Sequence, residues 1–237
     1  MQKPLKIFLI RHGQSLGNVD NTVYEHTPDW KIPLTEIGQS QAILAGKKLS
    51  EKLVSPNWIL DPDISSQIKA DVLVYSSPWV RSRETAKPFM DYLENKHPWY
   101  SSNCVYSYRY YEDPRLREQD WGNFQEPAAM LALKRERKKF GSFFYRFPNG
   151  ESGADVYDRI STFLETLFRD LHSKKPTNIA IFTHGFTMRV FLMRWFHWSV
   201  EEFELLKNPS NCHMITLSLV DDKYHVEGIT KRPNSSS

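Results

Sequence analysis

Short apolar runs alternate with longer helical patterns along this chain. The runs have the length and composition of buried strands, and they fall at residues 7–10, 71–76, 105–111, 178–182, 214–220 and 224–229. Helical periodicity fills most of the segments between them. This alternation predicts an α/β fold with a parallel sheet, in which strands and helices follow each other along the chain.

Four segments show the pattern of a helix. Thr35 is a capping residue for a helix that runs to about Leu53, with an apolar face predicted at Ile37, Leu44, Ala45 and Leu49. Ser77 followed by Pro78 predicts a helix start, with the helix over 79–92. The largely apolar segment 186–196 predicts a buried helix. The fourth helix opens at Glu151-Ser152 and runs to about His172, and its predicted buried stripe is Val156, Ile160, Phe163, Leu164, Leu167 and Leu171.

Three segments lack a clear period. Residues 19–33 read as an irregular loop, in which Tyr24 and His26 are either exposed side chains or substrate contacts. Residues 55–69 read as a surface connection. Residues 126–149 combine a short helix at 128–133 with a basic run at 134–139, which is either a solvated face or an attraction for an anionic substrate. We interpret this region as an inserted helical lid at about 115–150.

The first predicted strand ends on Arg11-His12-Gly13. Ligands of α/β proteins bind at the carboxyl ends of strands, so these side chains are candidates for a site. Arg11 offers a planar donor fork for phosphate, and His12 is a candidate base, nucleophile or metal ligand. Gly13 allows a sharp turn and the close approach of an anion. Asn18 adds a donor about one helical turn later.

The second predicted strand leads directly into a helix that carries Arg81 in its first turn. A cation there is unfavourable unless an anion binds, because the amino end of a helix already favours negative charge. The alternative is a surface arginine that pairs with Glu84. We favour an anion-binding role for Arg81 because of its position.

Two further strand ends carry ionisable side chains. The third strand leads into an acidic loop in which Glu118, Asp113 and Asp120 are equally possible proton donors. The fourth strand ends on Thr183-His184-Gly185. It therefore repeats the order seen at the first strand, in which a histidine and a glycine follow an apolar run. Since the ends of parallel strands meet along one edge of a sheet, two histidines, two arginines and a carboxylate are expected to lie together.

Such a set of side chains suits transfer of a phosphoryl group. One histidine attacks phosphorus, the arginines hold the equatorial oxygens, and the carboxylic acid protonates the leaving oxygen. A metal site is disfavoured because Arg11 adjoins His12 and no metal-binding histidine spacing occurs. A glycine-rich phosphate loop for ATP is also absent from the sequence. Nucleic-acid binding is disfavoured because the basic run is short and contains Glu136.

Composition narrows the class of protein further. The chain has 237 residues, of which 40% are hydrophobic, so it can bury a core, and its net charge of +3 is too small to indicate nucleic acid. The two cysteines, Cys104 and Cys212, exclude a disulfide framework. They are either one bridge or two buried thiols, and we favour the buried thiols. No apolar run approaches the roughly 20 residues of a membrane span, and the apolar run near residue 7 is too short for a signal peptide. We therefore expect a soluble, cytoplasmic protein.

Six motifs, in order, resemble the histidine phosphatase superfamily in its phosphoglycerate-mutase-like branch. They are Leu9-Ile10-Arg11-His12-Gly13-Gln14-Ser15 with Asn18, Pro33-Leu34-Thr35-Glu36-Ile37-Gly38-Gln39, Ser76-Ser77-Pro78-Trp79-Val80-Arg81-Ser82-Arg83-Glu84-Thr85-Ala86, Leu116-Arg117-Glu118-Gln119-Asp120-Trp121-Gly122, Gly150-Glu151-Ser152 and Thr183-His184-Gly185. Residues 144–152 and 195–203 resemble a plant and fungal subgroup of broad-range acid phosphatases.

The resemblance implies a role for each matching residue. His12 would be the nucleophile that becomes phosphohistidine, and Glu118 the proton donor. Arg11, Arg81 and His184 would complete the phosphate pocket, assisted by Asn18 and Gly185. It also implies a three-layer α/β/α sandwich around a mostly parallel sheet, formed by one domain over 1–237 with a flexible tail at about 231–237. No metal or other cofactor is expected.

Departures from the family pattern bear on the activity. Trp79 replaces a common leucine, Glu84 a common glutamine, and the loop typical of glycolytic mutases is absent after Asn18. We therefore predict a phosphatase for small phosphomonoesters. A 2,3-bisphosphoglycerate-dependent phosphoglycerate mutase and a catalytically silent phospho-ligand binding protein are the alternatives. The sequence makes no prediction of the oligomeric state.

Overall fold

Six strands form a single mixed sheet. The computed structural model describes residues 3–53, 68–94, 104–122 and 127–232. The strands in that part of the chain are β1 (Lys6–Arg11), β2 (Ile68–Ser76), β3 (Cys104–Glu112), β4 (Asn178–Thr183), β5 (Met214–Val220) and β6 (Lys223–Glu227). Their order is β3-β2-β4-β1-β5-β6, in which β5 runs antiparallel to both of its neighbours, β1 and β6, and all other neighbouring strands are parallel. The six predicted strands and the mostly parallel sheet are thus confirmed.

Helices cover both faces of the sheet. Those described are α1 (Leu16–Val19), α2 (Glu36–Leu53), α3 (Val80–Glu94), α4 (Pro127–Phe140), α5 (Gly153–Lys174), α6 (Gly185–Phe196) and α7 (Val200–Leu205). Alternate residues of β1 point to opposite faces. Ile7 and Leu9 pack in a core with α5 and α6, whereas Phe8 and Ile10 pack in a second core with α2 and α3. The predicted three-layer architecture is therefore confirmed.

The helix at Gly153–Lys174 follows the sequence pattern closely. All six residues of its predicted stripe are buried. Ser152 caps it, because its hydroxyl accepts a hydrogen bond from the backbone N–H of Asp155 at 3.2 Å. The Asp155 carboxylate in turn accepts from the backbone N–H of Ser152 at 2.7 Å, so the cap is reciprocal.

The predicted apolar face of α2 is wrong in part. Ile37 is 60% exposed and Leu44 is 67% exposed. The buried face carries small residues instead, including Ala42 and Gly46. A Cβ on Gly46 would lie 2.8 Å from the backbone nitrogen of Phe89, so α2 approaches α3 more closely than large side chains would allow.

Other boundaries also differ from the predictions. The irregular loop at 19–33 contains two short 3-10 helices, at Asn21–Glu25 and Asp29–Lys31. The helix predicted at 128–133 continues through the basic run to Phe140. The predicted surface connection at 55–69 falls mostly outside the described residues, and its last two residues belong to β2. Within the predicted tail, Lys231 forms a β-bridge with Leu206.

The structure tests the predicted burial of only one of the two cysteine thiols. Cys212 is a free thiol that is only half-buried. The side chain of Cys104 lies outside what the structure describes.

Candidate active site

Strand register places the two histidines side by side. Arg11 at the end of β1 lies opposite Thr183 at the end of β4, and the backbone N–H of His12 donates to the carbonyl of Thr183 at 3.0 Å. His12 and His184 therefore leave the sheet as neighbours, with ring centroids 5.1 Å apart. The sheet edge predicted from the sequence is thus where both imidazoles lie.

His12 is buried and held in one orientation. Its Nδ1 lies 2.7 Å from the carbonyl oxygen of Gly13. Because a carbonyl only accepts hydrogen bonds, Nδ1 carries the proton and Nε2 keeps a free lone pair. Burial, reinforced by Arg81 and Arg11, holds the pKa of His12 well below its usual range. The imidazole is therefore neutral near pH 7, as a nucleophile requires.

The turn after His12 depends on a glycine. A Cβ on Gly13 would lie 2.6 Å from the carbonyl oxygen of Gly38 in α2, so only glycine fits between the two backbones. The backbone N–H of Gly13 donates to the Thr85 hydroxyl of α3 at 3.0 Å. Two helices of one layer thus fix the loop that carries His12.

His184 is fully buried beside serine hydroxyls. Its Nε2 lies 2.9 Å from Ser77 Oγ and 3.3 Å from Ser82 Oγ, and its Nδ1 has no hydrogen-bond partner in the described chain. Burial and the Arg81 charge lower its pKa well below the usual range. Ser77 was predicted as a helix cap, but α3 begins later, at Val80. The Ser77 hydroxyl accepts from the backbone N–H of Trp79 at 3.3 Å and also lies against His184.

Arg81 is buried in the wall of the site. One of its terminal nitrogens donates to the carbonyl oxygen of Asp29 at 2.7 Å and to the Asp29 carboxylate at 2.8 Å. Its guanidinium carbon lies 4.5 Å from the centre of the Trp79 ring. Glu84, the alternative partner, accepts instead from the backbone N–H of Leu34. Arg81 is therefore not a surface arginine.

Arg11 and Asn18 enter the same cavity from the β1 side. Arg11 donates to the carbonyl oxygen of Pro209 at 2.5 Å. The side-chain oxygen of Asn18 accepts from the Ser15 backbone at 3.1 Å and from the Asn211 amide at 2.9 Å. The remaining group of the Asn18 side chain is its NH₂, which is a donor suited to phosphate oxygens.

Of the three acids that were equally possible proton donors, the structure leaves two at the cavity. Glu118 and Asp120 line the cavity. Asp113 pairs with Arg115 through both of its carboxylate oxygens and does not line the cavity. Glu118 Oε1 accepts from the backbone N–H of Gln119 at 3.1 Å.

A buried ion-pair network supports the loop that carries Glu118. Arg159 donates to both carboxylate oxygens of Glu151 at 3.0 Å, and Arg117 pairs with the same carboxylate. Arg159 also donates to the backbone carbonyls of Arg117 and Glu118, at 3.0 and 3.2 Å. Glu151, in the predicted Gly-Glu-Ser motif, therefore fixes the acidic loop through Arg159.

One cavity of about 660 Å³ joins these groups. Of the predicted site residues, it is lined by Arg11, His12, Asn18, Arg81 and Glu118, while the buried His184 lies behind its wall. Gly185 does not line it, and a Cβ there would lie 2.4 Å from the Asn208 side chain. Tyr24 lines the cavity, whereas His26 does not.

Several lining residues were not singled out from the sequence as site residues. They include Asp29, Trp30, Trp121, Met130 and Lys134. Trp121 lies in the same family-like motif as Glu118, three residues later, so the motif itself could have indicated Trp121 as a site residue. Asp29 lies in a loop of irregular sequence, where no pattern indicates which side chain turns inward.

Two classes of feature are absent from the described part of the chain. It holds no group of three or more His, Cys, Asp or Glu side chains placed to bind a metal ion. None of its helices combines the length and the apolarity that crossing a membrane requires.

Known proteins resemble this chain in sequence and in fold. The phosphoglycerate mutase-like protein AT74H of Arabidopsis thaliana is 44% identical over 230 residues, which cover 91% of this chain and 74% of that protein. The broad-range acid phosphatase DET1 of Saccharomyces cerevisiae is 33% identical over an alignment of 287 positions that covers 92% of this chain and 86% of that protein.

Similarity to solved structures extends over almost the whole fold. A mycobacterial glucosyl-3-phosphoglycerate phosphatase superposes with a TM-score of 0.62 at 19% identity, covering 96% of this chain and 99% of that one. The model of the histidine phosphatase superfamily (branch 1) matches residues 7–231. With this match and the two relatives above 30% identity, the chain belongs to the histidine phosphatase superfamily.

Proposed function

We propose that this protein hydrolyses small phosphomonoesters through a covalent phosphohistidine on His12. The observation that carries the proposal is the state of His12. Its Nδ1 donates to the Gly13 carbonyl, its pKa is held low, and it lines a cavity together with the guanidinium groups of Arg11 and Arg81. A neutral imidazole beside fixed cations is suited to attack an anionic phosphorus centre.

The first step transfers the phosphoryl group to the enzyme. His12 Nε2 forms a bond to phosphorus while the bond between phosphorus and the ester oxygen breaks. Arg11 and Arg81 stabilise the charge that develops on the equatorial oxygens. The carboxylic acid of Glu118 gives its proton to the leaving oxygen, which departs as an alcohol.

The second step returns the enzyme to its starting state. Water attacks the phosphohistidine, and the Glu118 carboxylate takes a proton from it, so that inorganic phosphate leaves and the acid form of Glu118 is restored. His184 lies behind the cavity wall against His12, with ring centroids 5.1 Å apart, and positions the nucleophile. The arginines supply the positive charge that a metal ion supplies in other phosphatases, so we propose that turnover needs no metal.

The main alternative is a mutase. One relative is named phosphoglycerate mutase-like, and a mutase would use the same side chains with a second substrate hydroxyl in place of water. The yeast relative named a broad-range acid phosphatase supports hydrolysis. A cytoplasmic location remains a prediction from the sequence.

The test is phosphate release by the purified protein in the presence of EDTA. An aryl phosphate and a panel of sugar, glycerate and nucleotide phosphates would serve as substrates. His12→Ala removes the nucleophile, and His197→Ala removes a histidine outside the cavity as a matched control. Release that persists with EDTA, vanishes in His12→Ala and survives in His197→Ala supports the proposal.

Three results would count against the proposal. Interconversion of phosphoglycerates without release of phosphate would identify a mutase. Full phosphate release by His12→Ala would remove the covalent mechanism, and no turnover in either assay would favour a phospho-ligand binding protein.

A further inference from the structure

The cavity is much larger than the phosphate pocket at its inner end. A phosphoryl group takes the place of roughly two or three waters, which is about 60–90 Å³, whereas the whole cavity measures about 660 Å³. Most of this space therefore lies beyond His12 and Arg81, where the organic part of a substrate would sit. Its walls determine which organic group fits.

Aromatic rings line the same cavity. Tyr24 and Trp30 come from the loop after β1, and Trp121 comes from the loop that carries Glu118. Trp79 follows β2 and lies against His184, with ring centroids 4.9 Å apart. Met130 of α4 adds an apolar side chain. Three separate segments of the chain thus supply aromatic side chains to a single cavity.

Trp121 is held as a rigid surface. Its ring stacks on buried Phe147, with centroids 4.6 Å apart and planes 16° from parallel. The Lys134 ammonium, at the end of a flexible side chain, lies over the Trp121 ring, 5.0 Å from its centre. A ring fixed in this way loses little conformational freedom when a ligand stacks on it.

Two kinds of organic group could pack on such a wall. A sugar uses only its C–H face, and its hydroxyls need hydrogen-bonding partners among the polar side chains of the same cavity, such as Asn21 and Asp120. A planar ring instead gains stacking contacts and needs no partner for its faces.

We propose that the preferred substrates are phosphomonoesters whose organic part carries a planar aromatic ring, bound against Tyr24, Trp30 and Trp121. This inference rests on the proposed phosphatase function, because it assumes that the phosphoryl group occupies the inner end of the same cavity. It adds the chemical class of the organic part.

The experiment compares three alkyl phosphates, none of which has an activated leaving group. They are 2-phenylethyl phosphate, its saturated counterpart 2-cyclohexylethyl phosphate, and glycerol 1-phosphate. The readout is the ratio of kcat/KM between two substrates in the same enzyme preparation, which does not depend on the fraction of folded protein. Trp30→Leu and Trp121→Leu are the test variants. Trp198→Leu is the matched control, since Trp198 stacks on Phe196 outside the cavity.

The proposal predicts that wild type prefers the phenyl compound to both others by tenfold or more. Trp30→Leu or Trp121→Leu should reduce that preference by about 5- to 100-fold, the usual range for a lost stacking partner. The ratio should be unchanged in Trp198→Leu.

Three results would overturn the inference while leaving the phosphatase intact. These are equal turnover of phenyl and glycerol compounds, equal turnover of phenyl and cyclohexyl compounds, and a preference that both variants retain. Failure of the phosphatase proposal looks different, because no phosphate would then be released from any of the three compounds.

Discussion

The carboxylate and the backbone carbonyl of Asp29 both accept hydrogen bonds from the same nitrogen of Arg81, at 2.8 and 2.7 Å. A cation that is expected to bind phosphate therefore already has an anionic partner from the protein. A phosphate dianion bound to Arg81 would lie near the Asp29 carboxylate and be repelled by it. Asp29 thus weakens the binding of dianions as long as it is ionised.

Asp29→Asn should strengthen the binding of inorganic phosphate. The amide removes the negative charge and keeps the size of the side chain, so the competitive inhibition constant at neutral pH should fall by about 3- to 10-fold, in line with a charge-assisted contact. The measurement is phosphate inhibition of wild type and variant, with Asp91→Asn, an exposed carboxylate on α3, as control.

The same pair gives a pH dependence with a definite sign. Burial raises the pKa of Asp29, although Arg81 opposes the shift. As the pH falls toward that pKa, Asp29 becomes neutral in the wild type, so the difference between wild type and Asp29→Asn should shrink. A difference that grows on acidification would contradict this account.

Glu118→Gln should slow the hydrolysis of each substrate in proportion to how strongly its leaving group needs a proton. An alkoxide leaves poorly without protonation, whereas a nitrophenolate leaves well, so the loss should be about 100-fold or more for alkyl phosphates and much smaller for nitrophenyl phosphate. The measurement is a series of kcat/KM values against the acidity of the leaving alcohol. Asp120→Asn changes the other acid at the cavity and should show no such trend. An equal loss for all substrates would remove Glu118 as the donor.

Strand pairing explains why much of the site could be predicted. Arg11, His12 and His184 directly end or follow buried strands, and the register of β1 against β4 then fixes their proximity. Arg81 lies in the first turn of a helix that follows the next strand. These positions depend on regular structure, whose apolar patterns are visible in the sequence.

The rest depends on loop paths and on close packing. Asp29 reaches Arg81 from an irregular loop, and no periodicity indicates that contact. Ile37 and Leu44 were expected to be buried because they are large and apolar. The α2–α3 interface uses Gly46 and alanines instead, since backbones that approach this closely exclude larger side chains.

Removing the Glu151 carboxylate should destabilise the fold strongly. Glu151→Ala leaves the largely buried Arg159 without its carboxylate partner, which typically costs about 3–5 kcal/mol. The measurement is denaturant unfolding. Arg146→Met breaks a more exposed pair with Asp155 and should cost less than about 1 kcal/mol. Equal losses in both variants would show that the Glu151 network is no more important than a surface ion pair.

Acidification should destabilise the protein through its two buried imidazoles. Below an ordinary histidine pKa of about 6.5 the unfolded chain takes up protons that folded His12 does not, because its pKa is lowered. The free energy of unfolding therefore keeps its full value above that pH. As the pH falls from 6.5 toward the lowered pKa, it should decrease by up to about 1.4 kcal/mol per pH unit for each histidine. His12→Asn should have a shallower slope than wild type, and His197→Asn should match wild type. An unchanged slope in His12→Asn would be inconsistent with a low pKa.

The most direct test of the covalent mechanism is a pre-steady-state reaction of enzyme with excess nitrophenyl phosphate, stopped with alkaline denaturant. With a good leaving group, transfer to the enzyme should outpace hydrolysis, so the phosphorylated protein accumulates. We predict a burst of nitrophenolate equal to the enzyme concentration and one phosphoryl group on the peptide that contains His12, absent in His12→Asn. Phosphate released in step with nitrophenolate and without any labelled peptide, or a label on His184 instead, would contradict the assignment of His12 as the nucleophile.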